Sequence, residues 1–172
     1  MKYFDYKGED LKSENISIAK IASEIQTPFY CYSANALKNN FNELKDAFKE
    51  IKPKICYATK SNSNLSILSL LQKEGAGADV VSVGELKKSL MANISPDDIV
   101  FSGVGKTEGE IEFAIISKIF QINAESISEL HTINKIAQKL GTIQQVGIRI
   151  NPDVIGETNK KISTGGIGDK FG

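Results

Sequence analysis

Strand-like and helix-like segments alternate along the chain from Pro53 onwards. The strand-like segments are short and rich in β-branched residues, whereas the helix-like segments repeat apolar residues at spacings of three and four. Strict alternation of this kind predicts parallel β-α-β units, and hence an α/β fold. The predicted strands are 55–59, 78–82, 98–102, 119–123 and 144–151, and the predicted helices are 65–73, 84–92, 108–117 and 126–140.

Two more elements are predicted before Pro53. The segment 27–32 has a proline at its entrance and aromatic residues after it, which predicts a short strand. The segment 35–51 predicts a helix that ends before Pro53, because its apolar residues fall on one face: Leu37, Phe41, Leu44 and Phe48.

Two α/β architectures fit this order of elements, a doubly wound sheet and a β/α barrel. A dinucleotide-binding doubly wound fold has the pattern G-x-G-x-x-G after its first strand, but Lys60-Ser61-Asn62-Ser63-Asn64 stands there. The barrel is therefore favoured. A complete barrel takes eight strands and about 250 residues, whereas this chain has 172 residues. We therefore expect a partial (β/α)8 TIM-like barrel that is truncated before the later strands.

Composition excludes several classes of function. The 21 basic and 21 acidic side chains give no net charge, which argues against a broad surface for nucleic acid or anionic membrane. The two cysteines lie far apart and the chain has a single histidine, so zinc modules, disulfide scaffolds and metal sites rich in histidine are not expected. Because no secretory signal or long apolar run is present, a cytoplasmic location is expected.

Lys60 is the first candidate for chemistry. In a strand that alternates faces, Cys56, Ala58 and Lys60 share the side opposite the bulkier Ile55 and Tyr57. Lys60 would then face the barrel interior at the carboxyl end of its strand, where barrel active sites lie. A lysine there can form a Schiff base with a carbonyl cofactor. The spacing alone favours a surface lysine at the start of a loop.

Arg149 and Asp79 are candidates by the same argument. Ile148 and Ile150 are expected to face the helices, so Arg149 between them is expected to face inward. Asp79 shares an inward face with Val81. A buried arginine is costly unless it is paired. An ion pair between Asp79 and Arg149 is therefore predicted, with Arg149 reaching the barrel rim as the alternative.

The Gly103-Val104-Gly105-Lys106-Thr107 segment ends like a phosphate-binding loop. Such a loop also needs a glycine five residues before its Gly-Lys-Thr, and Val100 occupies that position within a predicted strand. A turn with Thr107 as the helix N-cap is predicted instead. Lys106 remains a candidate for lining the same end of the barrel.

Six segments of the sequence together resemble one family, and the last three of them are typical of one branch of that family. The segments are Thr27-Pro28-Phe29-Tyr30, Tyr57-Ala58-Thr59-Lys60-Ser61-Asn62, Gly77-Ala78-Asp79-Val80-Val81-Ser82-Val83-Gly84-Glu85-Leu86, Asn151-Pro152-Asp153-Val154, Ile162-Ser163-Thr164-Gly165 and Lys170-Phe171-Gly172. Together they resemble the N-terminal part of the diaminopimelate decarboxylases, which are fold-type III enzymes dependent on pyridoxal 5'-phosphate (PLP).

The resemblance implies a fold and a set of site residues. It implies a barrel of the alanine racemase and ornithine decarboxylase type at 27–172, after an N-terminal extension at 1–26. It implies that Lys60 carries PLP as a Schiff base, and that Asp79, Glu85 and Arg149 line the cofactor pocket. It places Lys170 at the substrate rim, and no metal is expected.

The resemblance also implies an activity. The reaction would be decarboxylation of meso-2,6-diaminopimelate to L-lysine and CO2, the last step of lysine biosynthesis, in a homodimer that binds a small amino acid and neither nucleic acid nor membrane. The family's phosphate cradle, ring-stacking histidine and C-terminal β-domain have no counterpart in this sequence, so the isolated chain is expected to be inactive. Another fold-type III decarboxylase or racemase, or a non-catalytic half-barrel that binds PLP, remains an alternative.

Overall fold

The computed structural model describes residues 3–154 and 164–166. The predicted rim residue Lys170 lies outside the described residues. The chain divides into two compact units, 1–53 and 54–172, and each is considered by itself.

The first unit contains a small antiparallel sheet and two helices. Strands of two to four residues show no periodicity, so the sequence does not predict this sheet. A short 3-10 turn, Lys49–Ile51, follows the second helix. The elements are β1 (Phe4–Lys7), β2 (Asp10–Ser13), β3 (Ile16–Ser17), α1 (Ile18–Glu24) and α2 (Ala34–Ala47), and the sheet order is β1-β2-β3.

Glu14 fixes the start of α2, the helix that the sequence predicts here. Its carboxylate accepts hydrogen bonds from the Ser33 hydroxyl at 2.6 Å and the Asn35 backbone N–H at 3.0 Å. These two donors lower the pKa of Glu14. Ser33 in turn accepts from the Ala36 N–H as the N-cap. Of the predicted apolar face, Phe41 is buried.

The strand predicted at 27–32 is wrong. These residues form bends and irregular backbone. Tyr30 and Tyr32 are 90% and 54% exposed. A strand exists only where a neighbour completes its hydrogen-bond ladder, and no described residue pairs with this segment. The segment therefore has the aromatic composition of a strand, but no described strand pairs with it.

The second unit confirms the predicted alternation. Each predicted strand and helix is present, with shorter strands than the sequence indicates. Its sheet is parallel, with the order β4-β5-β6-β7-β8. The strands are β4 (Cys56–Ala58), β5 (Gly77–Val80), β6 (Ile99–Phe101), β7 (Gln121–Ala124) and β8 (Val146–Ile148), and the helices are α3 (Leu65–Lys73), α4 (Val83–Met91), α5 (Glu108–Ile116) and α6 (Ile127–Lys139).

The strand order identifies the architecture. In a doubly wound sheet the order reverses at a switch point, whereas here each strand lies next to the one before it in sequence. Sequential winding is the order of a β/α barrel. The second unit is therefore a partial barrel, and five parallel strands lie within its described residues.

The outer face of this sheet makes the core. Ala78 and Val80 of β5 and Ile99 and Phe101 of β6 are fully buried against the helices, for example against Leu86 of α4. The alternate residues therefore face the inside of the curved sheet. None of the helices formed by the described residues has the length and apolar character needed to cross a lipid bilayer.

The expectation that Ile148 and Ile150 face helices is wrong. They are 68% and 78% exposed, although Val146 of the same strand packs against the core. The reason is that no helix follows β8 in the described part of the chain. The apolar residues lie on the outer side as their parity requires, but nothing described covers them.

Candidate active site

A cleft of about 540 Å³ opens where the parallel strands end. Parallel β/α barrels place their active sites at this carboxyl edge, because all the strand-to-helix loops meet there. The cleft brings together three of the predicted site residues. It is lined by Lys60, Asp79, Val81, Ser102, Gly103, Val104, Arg149 and Thr164.

Lys60 lies in a short 3-10 turn, Thr59–Ser61, directly after β4. Because the strand ends at Ala58, this turn rather than strand alternation carries Lys60 to the cleft. The Ser61 hydroxyl donates to the Ala58 carbonyl at 2.7 Å and also lies 2.9 Å from the Tyr57 hydroxyl. The turn is thus closed by its own side chains.

Among the described residues, none competes for the Lys60 amine. The side chain is exposed, and its ammonium makes no hydrogen bond or ion pair with any residue in 3–154 or 164–166. An amine that is held at a cleft without being engaged by the protein can react with a carbonyl group.

Asp79 and Arg149 line the same cleft but do not form the predicted ion pair. Asp79 Oδ1 accepts a hydrogen bond from the Ser102 hydroxyl at 2.6 Å. Arg149 Nη1 lies 3.4 Å from Glu125 Oε1 instead. Asp79 is on β5 and Arg149 follows β8, so three strand spacings, about 14 Å along the sheet, separate them. Their inward parity was predicted correctly, and their distance was not.

Glu85 binds the backbone of Val81, one of the residues that line the cleft. It lies in the first turn of α4, where Ser82 is the N-cap. Its Oε2 accepts from the backbone N–H of Val81 at 2.9 Å. Glu85 is not among the residues that line the cleft. It holds the loop that presents Val81, and contact of Glu85 with a cofactor stays a prediction.

Sequence reasoning missed a buried charge network beside the cleft. The Lys106 side chain is 2% exposed, and its ammonium donates to the carbonyls of Gly103 and Asn123 and to Glu129 Oε1, at 2.6–2.7 Å. Glu125 is 3% exposed, and its Oε1 accepts from the Gly103 N–H at 2.9 Å. We call these three residues, Lys106, Glu125 and Glu129, the charge network.

A repeated sequence signal does mark this network. Glu129 accepts from the Glu125 N–H at 3.0 Å, while Ser126 caps α6. This is the arrangement of Glu85 and Ser82 at the start of α4. Both follow a strand with the spacing Ser-x-x-Glu, a known helix-start signature. The pattern predicts the cap but not the buried lysine that Glu129 binds.

Two groups in the second unit have perturbed pKa values. Hydrogen bonds from the backbone N–H groups of Thr107 and Val83 hold the pKa of Glu110 below its usual value, with the Thr107 contact the larger cause. Burial raises the pKa of the Cys56 thiol, and Cys56 and Cys31 are both free. His131, in α6, is exposed, as expected for a residue without a catalytic role.

The residues of the cleft suit a carbonyl cofactor. An unengaged primary amine, a carboxylate and a guanidinium surround a volume large enough for a substituted aromatic ring. Within 3–154 and 164–166, no group of three or more histidine, cysteine, aspartate or glutamate side chains is placed to hold a metal ion.

Comparison with known proteins identifies the family. The model of the family described as pyridoxal-dependent decarboxylase, pyridoxal binding domain, matches residues 34–172. Diaminopimelate decarboxylase of Helicobacter pylori strain J99 is 52% identical over 147 residues, covering 86% of this chain and 36% of that protein. The enzyme of the same name from Vibrio cholerae is 43% identical, covering 100% of this chain and 42% of that protein.

A solved structure agrees in fold. The crystal structure of diaminopimelate decarboxylase from Helicobacter pylori, complexed with L-lysine, superposes with a TM-score of 0.87 at 49% identity, over 90% of this chain and 39% of that one. The chain thus spans about two fifths of the length of the proteins it matches. It belongs to the pyridoxal-dependent decarboxylase family, whose pyridoxal-binding domain is the part that residues 34–172 match.

Proposed function

We propose that this chain is the cofactor-binding part of an enzyme that decarboxylates meso-2,6-diaminopimelate to L-lysine and CO2. The observation that carries the proposal is the unengaged Lys60 amine in the cleft at the barrel's carboxyl edge. Family membership supplies the cofactor class. The names of the relatives and the L-lysine in a homologous structure support the substrate and product.

Each predicted site residue then has a proposed role. Lys60 would hold PLP covalently through its amine. Asp79 would contact the cofactor from β5 and Arg149 from the end of β8, and Glu85 is proposed to contact it beside the loop that it holds. Lys170 is proposed to lie at the substrate rim. PLP held there would supply an electron sink for loss of the α-carboxylate.

The wider setting belongs to the same proposal. Residues 27–172 form the N-terminal portion of the barrel, after an extension at 1–26. The complete protein acts as a homodimer on a small amino acid, without nucleic acid or membrane. The cytoplasm is the proposed compartment, and the free thiols of Cys31 and Cys56 fit a reducing environment.

The test is substrate profiling of the complete gene product. With PLP and meso-diaminopimelate, release of CO2 and formation of L-lysine in equal amounts are expected. Lys60→Ala should abolish both. Ornithine and arginine serve as competing substrates. Turnover of either in preference to diaminopimelate, or full activity of Lys60→Ala, would overturn the assignment.

A further inference from the structure

Polar side chains on the inner face of the sheet form one continuous hydrogen-bond chain. The links run from Gln145 Nε2 to Gln121 Oε1 at 3.2 Å, from Gln121 Nε2 to Asn123 Oδ1 at 2.7 Å, from Asn123 Nδ2 to Ser102 Oγ at 3.0 Å, and from the Ser102 hydroxyl to Asp79 Oδ1 at 2.6 Å. The chain therefore crosses from the start of β8 to β5 and ends in the cleft.

Every link donates in the same direction, towards Asp79. An ionised carboxylate can only accept, so the Ser102 hydroxyl must direct its proton to Asp79. Its oxygen is then free to accept from Asn123. Hydrogen bonds that share one direction polarise one another and strengthen together. The negative charge at one end thus fixes the orientation of the amides behind it.

Gly147 of β8 makes room for this chain. A Cβ atom at this position would lie 2.4 Å from Asn123 Oδ1 and 2.6 Å from Gln121 Nε2, the two atoms of the central link. A Cβ at these distances would force at least one of these two side-chain ends to shift. The strand opposite the link therefore carries the one residue type that leaves it intact.

We propose that this hydrogen-bond chain positions the Asp79 carboxylate in the cleft, which makes Ser102, Asn123 and Gly147 positioning residues for the site of Lys60. Ser102 holds Asp79 directly, and the amides hold Ser102 in turn. The cofactor-related part of this proposal rests on the proposed function, because Asp79 would contact PLP there.

The test measures PLP affinity in the complete gene product, through the visible absorbance of the bound cofactor. Ser102→Ala should weaken binding about tenfold, the loss expected for one hydrogen bond to a charged group. Ser102→Thr keeps the hydroxyl and should restore binding to within about threefold. Gly147→Ala should weaken binding although Gly147 does not line the cleft.

The double variant separates positioning from general damage. If both changes act through Asp79, Gly147→Ala adds nothing to Ser102→Ala, whereas independent effects would multiply. Gly109→Ala is the matched control, since a Cβ at Gly109 meets nothing within 4 Å. It should leave PLP binding unchanged.

A second readout does not involve PLP. The free energy of unfolding of the wild type, the two single variants and the double variant should show non-additive losses for Ser102→Ala and Gly147→Ala. If the wild-type protein bound no PLP, the proposed function would fail, and this cycle would decide the inference alone. Additive losses in either cycle, or Ser102→Thr no better than Ser102→Ala, would overturn it.

Discussion

Two lysines follow strands at the same edge of the barrel, and their surroundings differ completely. Lys60 is exposed in a cleft of about 540 Å³, and no described residue accepts from its ammonium. Lys106 is 2% exposed and donates to two carbonyls and a carboxylate. The comparison shows that position at the edge does not by itself leave a lysine amine available. The acceptors that the neighbouring loops supply decide whether the amine is engaged by the protein.

The backbone explains why the two sites differ. Gly103 adopts a left-handed conformation with φ of +98°, in the turn that presents its carbonyl to Lys106. The charge is also 5.6 Å from the centre of the Phe101 ring, within cation–π range. In the turn that carries Lys60, the Ala58 carbonyl accepts from Ser61 instead.

The largest expected effect is the loss of unfolding free energy when the buried Lys106 is replaced. Lys106→Met leaves the Glu129 carboxylate, 10% exposed, without its partner. Removing one member of a buried pair typically costs about 3–5 kcal/mol of unfolding free energy. Urea denaturation of the complete gene product measures the loss. Lys60→Met should change the same quantity by about 0.5 kcal/mol or less, because its ammonium has no partner to lose among the described residues.

A double variant checks the cause. Lys106→Met with Glu129→Leu removes both charges, so it should recover most of the loss seen for Lys106→Met alone. Equal destabilisation by Lys60→Met and Lys106→Met would contradict the contrast between the exposed Lys60 and the buried Lys106.

The next effect concerns which carboxylate Arg149 binds. A double-mutant cycle between Glu125→Gln and Arg149→Met should give a coupling energy of about 1–2 kcal/mol, since these groups contact each other. The cycle between Asp79→Asn and Arg149→Met should be additive to within about 0.5 kcal/mol. Both are read from unfolding free energies. Strong coupling of Asp79 to Arg149 would restore the ion pair that the sequence predicts and the structure lacks.

The sequence predicts repeating features well and single contacts poorly. Helix periodicity and strand parity correctly place Asp79 and Arg149 on the inner face, because each follows from local geometry. Pairing depends on how many strands lie between two residues, which parity does not encode. The strand predicted at 27–32 fails for a related reason, since no described strand pairs with it.

The candidate site divides in the same way. Lys60 is predictable from a strand followed by a family motif. The charge network is not, because Lys106 and Glu125 lie in two loops and Glu129 in the first turn of α6, and their approach is a tertiary event. The Ser-x-x-Glu spacing marks each helix start but says nothing about the lysine that one of them receives.

The smallest expected effect is a pH dependence of the unfolding free energy that arises from Glu110. Glu110 accepts from the N–H of Thr107, beside the charge network, and of Val83, beside the cleft loop. Its pKa in the folded protein lies below the ordinary 4.5. Its contribution to stability is therefore complete above that value and is lost as the pH falls through the folded pKa.

Comparison with Glu110→Gln measures this contribution. The wild type should be more stable by less than about 1 kcal/mol near neutral pH, because the carboxylate is partly exposed and solvent screens it. The difference should shrink below pH 4.5. A difference that grows on acidification would contradict the lowered pKa of Glu110.

Borohydride reduction of the PLP-loaded complete gene product, followed by peptide mapping, tests the contrast between the two lysines most directly. Reduction fixes a Schiff base as a stable amine on the lysine that carries it. The reduced pyridoxyl group should be found on Lys60 alone, because the Lys60 amine is available at the cleft whereas the Lys106 ammonium is buried and fully engaged. A tag on Lys106, or on any lysine other than Lys60, would contradict the account.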